Sequence, residues 1–397
     1  MNRLAKTLGP AGWIPAAAAL VLAMHANAQQ YSLIDLGTIG GPVSGGYGLN
    51  DFGTVVGTST RADADLNAFV WDEGITAIAP LAGDRQAHAF AINPAGVVVG
   101  TSYDLGEMTP HGFSWAGGAT TALGNFAPRG VSDAGVVVGY MTLLQADYGW
   151  VEHACRWSGG VLIDLGTLGG HTSHALGISP DGRIVGSATT VSDREPHATL
   201  WQGGAPIDLG TLGGAGAQAY AMNAAGDVVG WSNTTAGVPH AFLFATDSSG
   251  GVISRTDLGS LPGDYSYAYA VNARRQVVGT SAARAFVWQD GLMTDLNTTI
   301  PANLGWRLDA AYAINNAGRI VGVGRYRGFP RAFLLVPRDC PDLDGSGDVG
   351  LSDLALLLSH FGTPAGATFA DGDLDGDGDV DLPDLAGLLS AFGADCG

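Results

Sequence analysis

Met222-Asn223-Ala224-Ala225-Gly226-Asp227-Val228-Val229-Gly230 joins a turn signal to a β-branched run, and the same pairing recurs along the chain. Val/Ile-Val-Gly ends at Gly57, Gly100, Gly139, Gly186, Gly230, Gly279 and Gly322, at intervals of 43, 39, 47, 44, 49 and 43 residues. A four-residue segment such as Asn50-Asp51-Phe52-Gly53, Asn93-Pro94-Ala95-Gly96 or Ser179-Pro180-Asp181-Gly182 stands before each copy. Asn, Ser and Asp side chains bond to nearby backbone N–H groups and Gly accepts positive φ, so each segment reads as a hairpin turn. After the Val-Val-Gly strand and a loop of variable length comes a third strand, as in Ala68-Phe69-Val70-Trp71 and Ala285-Phe286-Val287-Trp288. A Gly-containing turn then leads to a fourth strand ending in Asp-Leu-Gly, as at Asp164, Asp208 and Asp257. Four short strands repeated about every 44 residues predict the blades of an antiparallel propeller.

Strand bookkeeping sets the closure. The seventh unit has strands around Tyr312, Val321 and Phe333 but no fourth, whereas Tyr31-Ser32-Leu33-Ile34-Asp35-Leu36-Gly37 has the form of a fourth strand with no unit of its own. Pairing the two completes seven blades and removes two unpaired edges. The expected fold is therefore mainly β: a seven-bladed propeller over residues 29–338, closed by an N-terminal strand and followed by a small α-helical module over residues 339–397. Small residues on the first strands (Ala87, Ala89 and Ala91; Ala175 and Gly177; Ala219 and Ala221) suit crowding near the axis. Simple alternation puts His88 and Phe90 on the opposite face. The third-strand Phe and Trp residues are expected to fill the space between blades.

The repeats resemble the bacterial HAF-repeat proteins, described as probable extracellular repeats. The matching run is Asp164-Leu165-Gly166-Thr167-Leu168-Gly169-Gly170 through Ile184-Val185-Gly186 to His197-Ala198, and the next unit, ending in His240-Ala241-Phe242, matches more closely. The resemblance covers about residues 31–337 and implies an extracellular setting without an assigned activity. The histidine slot also holds Asn67, His111, His153, Arg284 and Arg331, which argues against a ring of metal ligands.

Charge and the N-terminus narrow the setting. With 37 acidic against 18 basic residues and a net charge of -19, nucleic acid is an unsuitable partner. Arg3 and Lys6, the apolar run Ile14 to Met24 and Ala26-Asn27-Ala28 read as a signal peptide over residues 1–28. No later stretch is long and apolar enough for a transmembrane anchor. The protein is thus expected to be secreted or attached to the cell surface, with the periplasm as the other compartment.

From Asp339 onward, 13 of 59 residues are Asp and none is Lys or Arg. In the first acidic loop Asp342, Asp344, Ser346 and Asp353 occupy positions 1, 3, 5 and 12 of a calcium loop, with Asp348 at position 7. Asp373, Asp375, Asp377, Asp379, Asp381 and Asp384 repeat the arrangement 31 residues later. Each loop precedes one predicted helix, with apolar stripes Leu354, Leu357, Leu358, Phe361 and Leu385, Leu388, Leu389, Phe392. Two Ca2+ ions are expected. Paired calcium loops, each with one following helix, resemble a dockerin over residues 340–397. That resemblance implies attachment to a cohesin-like or cell-surface protein. Leu351-Ser352 and Leu382-Pro383 depart from the family's small hydroxylated recognition residues, which leaves the partner's specificity open. Cys340 and Cys396 bracket the module and are expected to form a disulfide in an exported protein, whereas Cys155 sits in a Phe slot as a small buried hydrophobe.

The loops joining second and third strands lie at the same end as the inter-blade connections. The longest, residues 139–154, carries Tyr140, Tyr148, Trp150, Glu152 and His153, an expected contact face for a glycan or protein ligand. The recurrent Asp35, Asp164, Asp208, Asp257 and Asp295 read as turn caps. No nucleophile motif, phosphate loop, zinc spacing or dinucleotide fingerprint occurs. Two functions remain: a non-catalytic recognition or structural propeller, and a polysaccharide-acting hydrolase or lyase.

Overall fold

A computed structural model describes residues 31–397 apart from 105–108, 192–194, 264, 338–340, 345, 347, 375–377 and 394–397. The expected leader, Cys340, Cys396, Asp375 and Asp377 lie outside the described residues. Residues 29–338 form one compact unit and residues 339–397 belong to a second.

Among the described residues, the first unit contains seven four-stranded antiparallel sheets. Blade 1 runs through Ser44–Leu49, Val55–Thr60, Leu66–Trp71 and Ile75–Ile78. Blades 2 to 6 repeat that order, with first strands Gln86–Ile92, Ala127–Val131, Gly169–Ile178, Gly213–Met222 and Ser266–Val271. Blade 7 consists of Trp306–Ile314, Ile320–Tyr326 and Phe329–Pro337, and its outer edge is taken by Tyr31–Asp35. The register Tyr31↔Pro337 through Asp35↔Phe333 closes the ring as the strand count predicts. Blade 3 differs from the loop expected at residues 139–154. Its middle strands, Val137–Gln145 and Gly149–Ser158, pair continuously into a long β-hairpin.

Packing between blades follows residue size. Val56 and Ala68 of blade 1 pack with Ala87, Ala89, Val98 and Phe113 of blade 2, all buried. The third-strand rings Phe69, Phe113, Phe242, Phe286 and Phe333 are fully buried, each worth roughly 1.5–3 kcal/mol of transfer free energy. Cys155, in the same slot, is buried and free, and burial pushes its thiol pKa up to about 12, with Asp164 adding to the shift.

The simple alternation expected of the first strands fails at an equivalent place in every blade. Register shifts fall between Gly46/Gly48, Ala89/Ala91, Pro128/Gly130, Ala175/Gly177, Ala219/Ala221, Ala268/Ala270 and Ala311/Ala313. Each shift inserts one residue opposite the Val-Val-Gly strand, so the two flanking small residues turn to opposite faces: Ala89 packs toward blade 1 and Ala91 toward blade 3. The glycine of Val-Val-Gly is required there. A Cβ on any of the seven would meet the carbonyl oxygen of the bulging strand (at Gly45, His88, Ala127, His174, Gln218, Tyr267 and Ala310) well inside the 3.0 Å real Cβ atoms keep.

Serines and asparagines tie blade to blade. Ser44 Oγ accepts from Ala332 N and donates to Gly37 O, and Ser173 and Ser266 repeat this clip with Ala154/Gly166 and Ala241/Gly259. At the opposite end, Asn93 Nδ2 donates to Ser132 O, Asn223 to Asn272 O, Asn272 to Asn315 O and Asn315 to Asn50 O, all within 3.1 Å. Each of these asparagines also caps its own turn through Oδ1. The Asn315 bond crosses the closure between blades 7 and 1. Asn315→Ala removes the turn cap and takes from the Asn50 carbonyl one of its two donors, Gly53 N remaining, with an expected loss of about 1–3 kcal/mol in urea unfolding. An unchanged midpoint would show that the belt does not contribute to closure.

Among its described residues the second unit holds two α-helices, α1 (Leu351–His360) and α2 (Leu382–Ser390). Its core is Val349, Leu357, Val380 and Leu388, flanked by Leu343, Leu354, Leu374 and Leu385. These residues form pairs 31 positions apart, and the backbone obeys the same symmetry: Gly362 N donates to Val380 O and Gly393 N to Val349 O. The full apolar stripes expected on the helices are not buried. Leu358, Phe361, Leu389 and Phe392 are 42–52% exposed, because two nine- or ten-residue helices bury only the residues facing each other.

Candidate functional site

The seven bulge residues are Tyr47, Phe90, Arg129, Leu176, Tyr220, Tyr269 and Tyr312. Each comes from the innermost strand of a different blade, so together they ring the axis. Their contacts follow blade order: Tyr220–Tyr269 at 5.3 Å between ring centroids, Tyr269–Tyr312 at 4.9 Å, Tyr312–Tyr47 at 5.2 Å and Tyr47–Phe90 at 6.3 Å. The Arg129 guanidinium lies 4.1 Å from the Phe90 ring centroid. Four tyrosines, one phenylalanine, one leucine and one arginine thus form a collar that contains no carboxylate. Burial raises the pKa of Tyr47, Tyr269 and Tyr312 and pushes Tyr220 up to about 12, so the hydroxyls stay protonated at neutral pH.

A second tier lies one step toward the inter-blade connections, where first-strand residues face the residue following each Val-Val-Gly. The pairs are Gly45/Thr58, His88/Thr101, Ala127/Tyr140, His174/Ser187, Gln218/Trp231, Tyr267/Thr280 and Ala310/Val323. Neighbouring blades meet here as well. Thr58 Oγ1 is 3.2 Å from His88 Nδ1, Tyr140 packs edge-on against His174 at 4.7 Å, and Gln218 Nε2 donates to Ser187 Oγ at 3.1 Å. Trp231 meets Tyr267 at 5.9 Å. The His88 pKa is lowered by burial and then by the Arg129 charge, which keeps the ring neutral.

The blade 3 hairpin divides the five expected face residues. Tyr140 joins the second tier, and Glu152, on the same sheet face, accepts from His174 Nε2 at 2.8 Å. Trp150 follows on that face, 73% exposed. Tyr148 stacks on His171 at 3.6 Å near the hairpin tip. His153 points to the opposite face, buried between Asp164 and the Gln145 amide.

The repeated aspartates are structural. Asp35, Asp164, Asp208 and Asp257 each accept from the N–H two residues on, at Gly37, Gly166, Gly210 and Gly259, and Asp295 accepts from Asn297. The third-strand residue of the histidine slot provides a second contact: His153–Asp164, His197–Asp208, His240–Asp257 and Arg284–Asp295, at 2.9–3.2 Å. In three of these pairs the residues stand 11 positions apart. That spacing was the available sequence signal for the pairing. A shallow groove of about 520 Å³ beside blade 2 also holds His111 and Asp84, but these too bond to each other, at 2.9 Å.

The acidic loops form separate clusters in the second unit. Carboxylate oxygens of Asp342, Asp344 and Asp353 lie within 4.8 Å of one another, as do those of Asp379, Asp381 and Asp384. Asp353 and Asp384 are fully buried at the first turns of α1 and α2. Asp353 Oδ1 accepts from Leu343 N and Asp344 N and Oδ2 from Gly350 N, while Asp384 accepts from Leu374 N and Asp381 N. Each closing carboxylate therefore pins the start of its loop to the start of its helix. The Ser346 N–H donates to Asp342 and Asp344, and its hydroxyl bonds to the Asp344 and Asp348 carboxylates. The Ser346 bonds hold the Asp344 pKa below the usual carboxylate range. Asp373 is buried and accepts from Gly378 N. All-oxygen, strongly anionic donor sets suit a hard divalent cation such as Ca2+.

No family model and no curated protein matches the chain. Among solved structures it is similar to TolB from Acinetobacter baumannii (12% identity, TM-score 0.41, covering 72% of this chain and 64% of that one). It is also similar to a puromycin hydrolase (13% identity, TM-score 0.45, 76% and 51%) and to the Pyrococcus horikoshii acylaminoacyl peptidase (11%, 0.43, 73% and 51%). The chain thus spans less than two thirds of the length of each.

Proposed function

We propose that the protein is an exported, non-catalytic recognition propeller attached through a calcium-dependent, dockerin-like C-terminal module. The observation that carries this reading is the 31-residue symmetry of the second unit, in which two acidic clusters are each closed by a buried Asp at a helix start. The non-catalytic part rests on the collar, which offers aromatic faces, hydroxyls and one cation but no carboxylate. The recurrent blade aspartates are committed to turns and histidines, so they do not form the acid–base pair that glycoside cleavage needs. A cohesin-like or cell-surface protein is the matching partner for the module.

Calcium binding supplies the test. Like charges a few Å apart repel, and the core holding α1 to α2 is small, so the ion links loop closure to helix packing. Calorimetric titration of the full chain with CaCl2 is expected to show two ions, with dissociation constants of about 10⁻⁴–10⁻³ M. Asp342→Ala and Asp373→Ala each remove one ion, while Asp339→Ala removes none. Zero bound ions, or release of reducing ends from a bound glycan, would overturn the reading.

A further inference from the structure

We infer that the strip running from Arg129 through Tyr140 and His174 to Trp150 binds a carboxylated sugar, a uronate oligomer, with Arg129 taking the carboxylate. The inference deepens the recognition reading above and rests on it. Arg129 is the one cation of the collar. In a chain with twice as many acids as bases, Arg61, Arg85, Arg183, Arg275, Arg284, Arg307 and Arg325 each reach a carboxylate, yet no described carboxylate lies within 4.0 Å of Arg129. It is held instead by the Phe90 ring at 4.1 Å, the Tyr140 ring at 5.3 Å and one bond from Nη2 to the Tyr140 hydroxyl at 2.9 Å. Its Nη1 is buried and meets no acceptor. An incoming carboxylate therefore has no resident competitor. Turning the guanidinium off Phe90 exchanges ring stacking for paired N–H···O bonds, the geometry an arginine fork matches best.

The surroundings select the rest of the ligand. Tyr140 and His174 form an edge-packed pair beside the arginine, Glu152 fixes His174 at 2.8 Å, and exposed Trp150 stands further out on the same hairpin face. Aromatic faces spaced along a strip suit pyranose rings, whose C–H faces stack while their hydroxyls bond to polar neighbours. One arginine among neutral tyrosines, in a protein of net charge -19, suits one carboxylate per ring and disfavours a polyphosphate.

The probe is tetragalacturonate, titrated into the full-length protein and compared with its methyl ester, which keeps the rings and loses the charge. The free acid is expected to bind at least tenfold more tightly than the ester and to weaken with added salt. Arg129→Gln reduces that preference to within about twofold, and Trp150→Ala weakens both ligands equally. The ester comparison on the unmodified protein stands even where Arg129→Gln fails to fold. Equal binding of acid and ester, an unchanged preference in Arg129→Gln, no binding of either, or equal competition by tetraglutamate would overturn the inference. None of these outcomes alters the calcium stoichiometry, so this inference and the attachment reading fail separately.

Discussion

Deleting residues 31–37 is expected to open the ring and lower Tm by at least about 10 °C. Tyr31 and Leu36 are 1% and 2% exposed, and losing the two burials alone costs roughly 3–6 kcal/mol. The deletion also uncovers the edge of Phe329–Pro337, where five residue pairs vanish, together with the bond from Leu36 N to Ala332 O. Tyr31 N additionally donates to Thr299 O, in the connection between blades 6 and 7, so the strand braces two blades. At about 2–4 °C per kcal/mol, the burial terms alone give roughly 6–24 °C, and the lost strand pairing adds to them. Differential scanning calorimetry measures it. Leu36→Ala gives a graded version, with an expected cost of about 2–5 kcal/mol and no change in architecture. A deletion variant that melts with the full-length protein would mean that closure does not depend on this strand.

The strand count was legible because it depends on repetition. Val/Ile-Val-Gly occurs seven times, while the fourth-strand form is missing after Phe333 and spare at Tyr31. The acidic loops were legible for the same reason, since Asp353 and Asp384 sit 31 residues apart, each at the start of a helix and each in an acidic cluster. The collar was not legible, because Ala87, Ala89 and Ala91 satisfy simple alternation even though a bulge separates the last two. A trace was present. The collar residue always lies three positions before the turn Asn or Ser, as in Tyr47/Asn50, Phe90/Asn93 and Tyr269/Asn272, and it is aromatic in five of seven units. Alternation counts positions along one strand and cannot register an extra residue, which is defined only against the partner strand. The hairpin of blade 3 was hidden for a related reason. Gly149 takes φ +73° at its turn, but the Leu144-Gln145 and Trp150-Val151 flanks give no strict polar alternation to mark a strand.

The bulge also sets the second large expected effect, at Gly100. A Cβ there would collide with His88 O and fall 2.7 Å from Phe113 Cζ and 2.9 Å from His88 C. The ring end of Phe113 can yield slightly, but the carbonyl belongs to the paired first strand and is fixed on both sides of its bulge. Relief demands that the two strands separate, so Gly100→Ala is expected to destabilise the protein by about 4 kcal/mol or more, far beyond an ordinary surface substitution. Gly118 provides the control. It has φ +88°, and a Cβ placed on it would meet nothing within 4 Å, so Gly118→Ala carries only the left-handed backbone penalty of roughly 1–2 kcal/mol. Urea unfolding of the two variants separates close approach from backbone conformation, and equal losses would refute the steric account. The same displacement has a functional consequence. Phe90 is the inserted residue, two positions after His88, and its ring is the face on which Arg129 rests. Any folded fraction of Gly100→Ala should therefore lose the preference for free acid over methyl ester, while Gly118→Ala keeps it. The glycine that lets the strands approach is thus also what holds the aromatic support of the axial arginine in place.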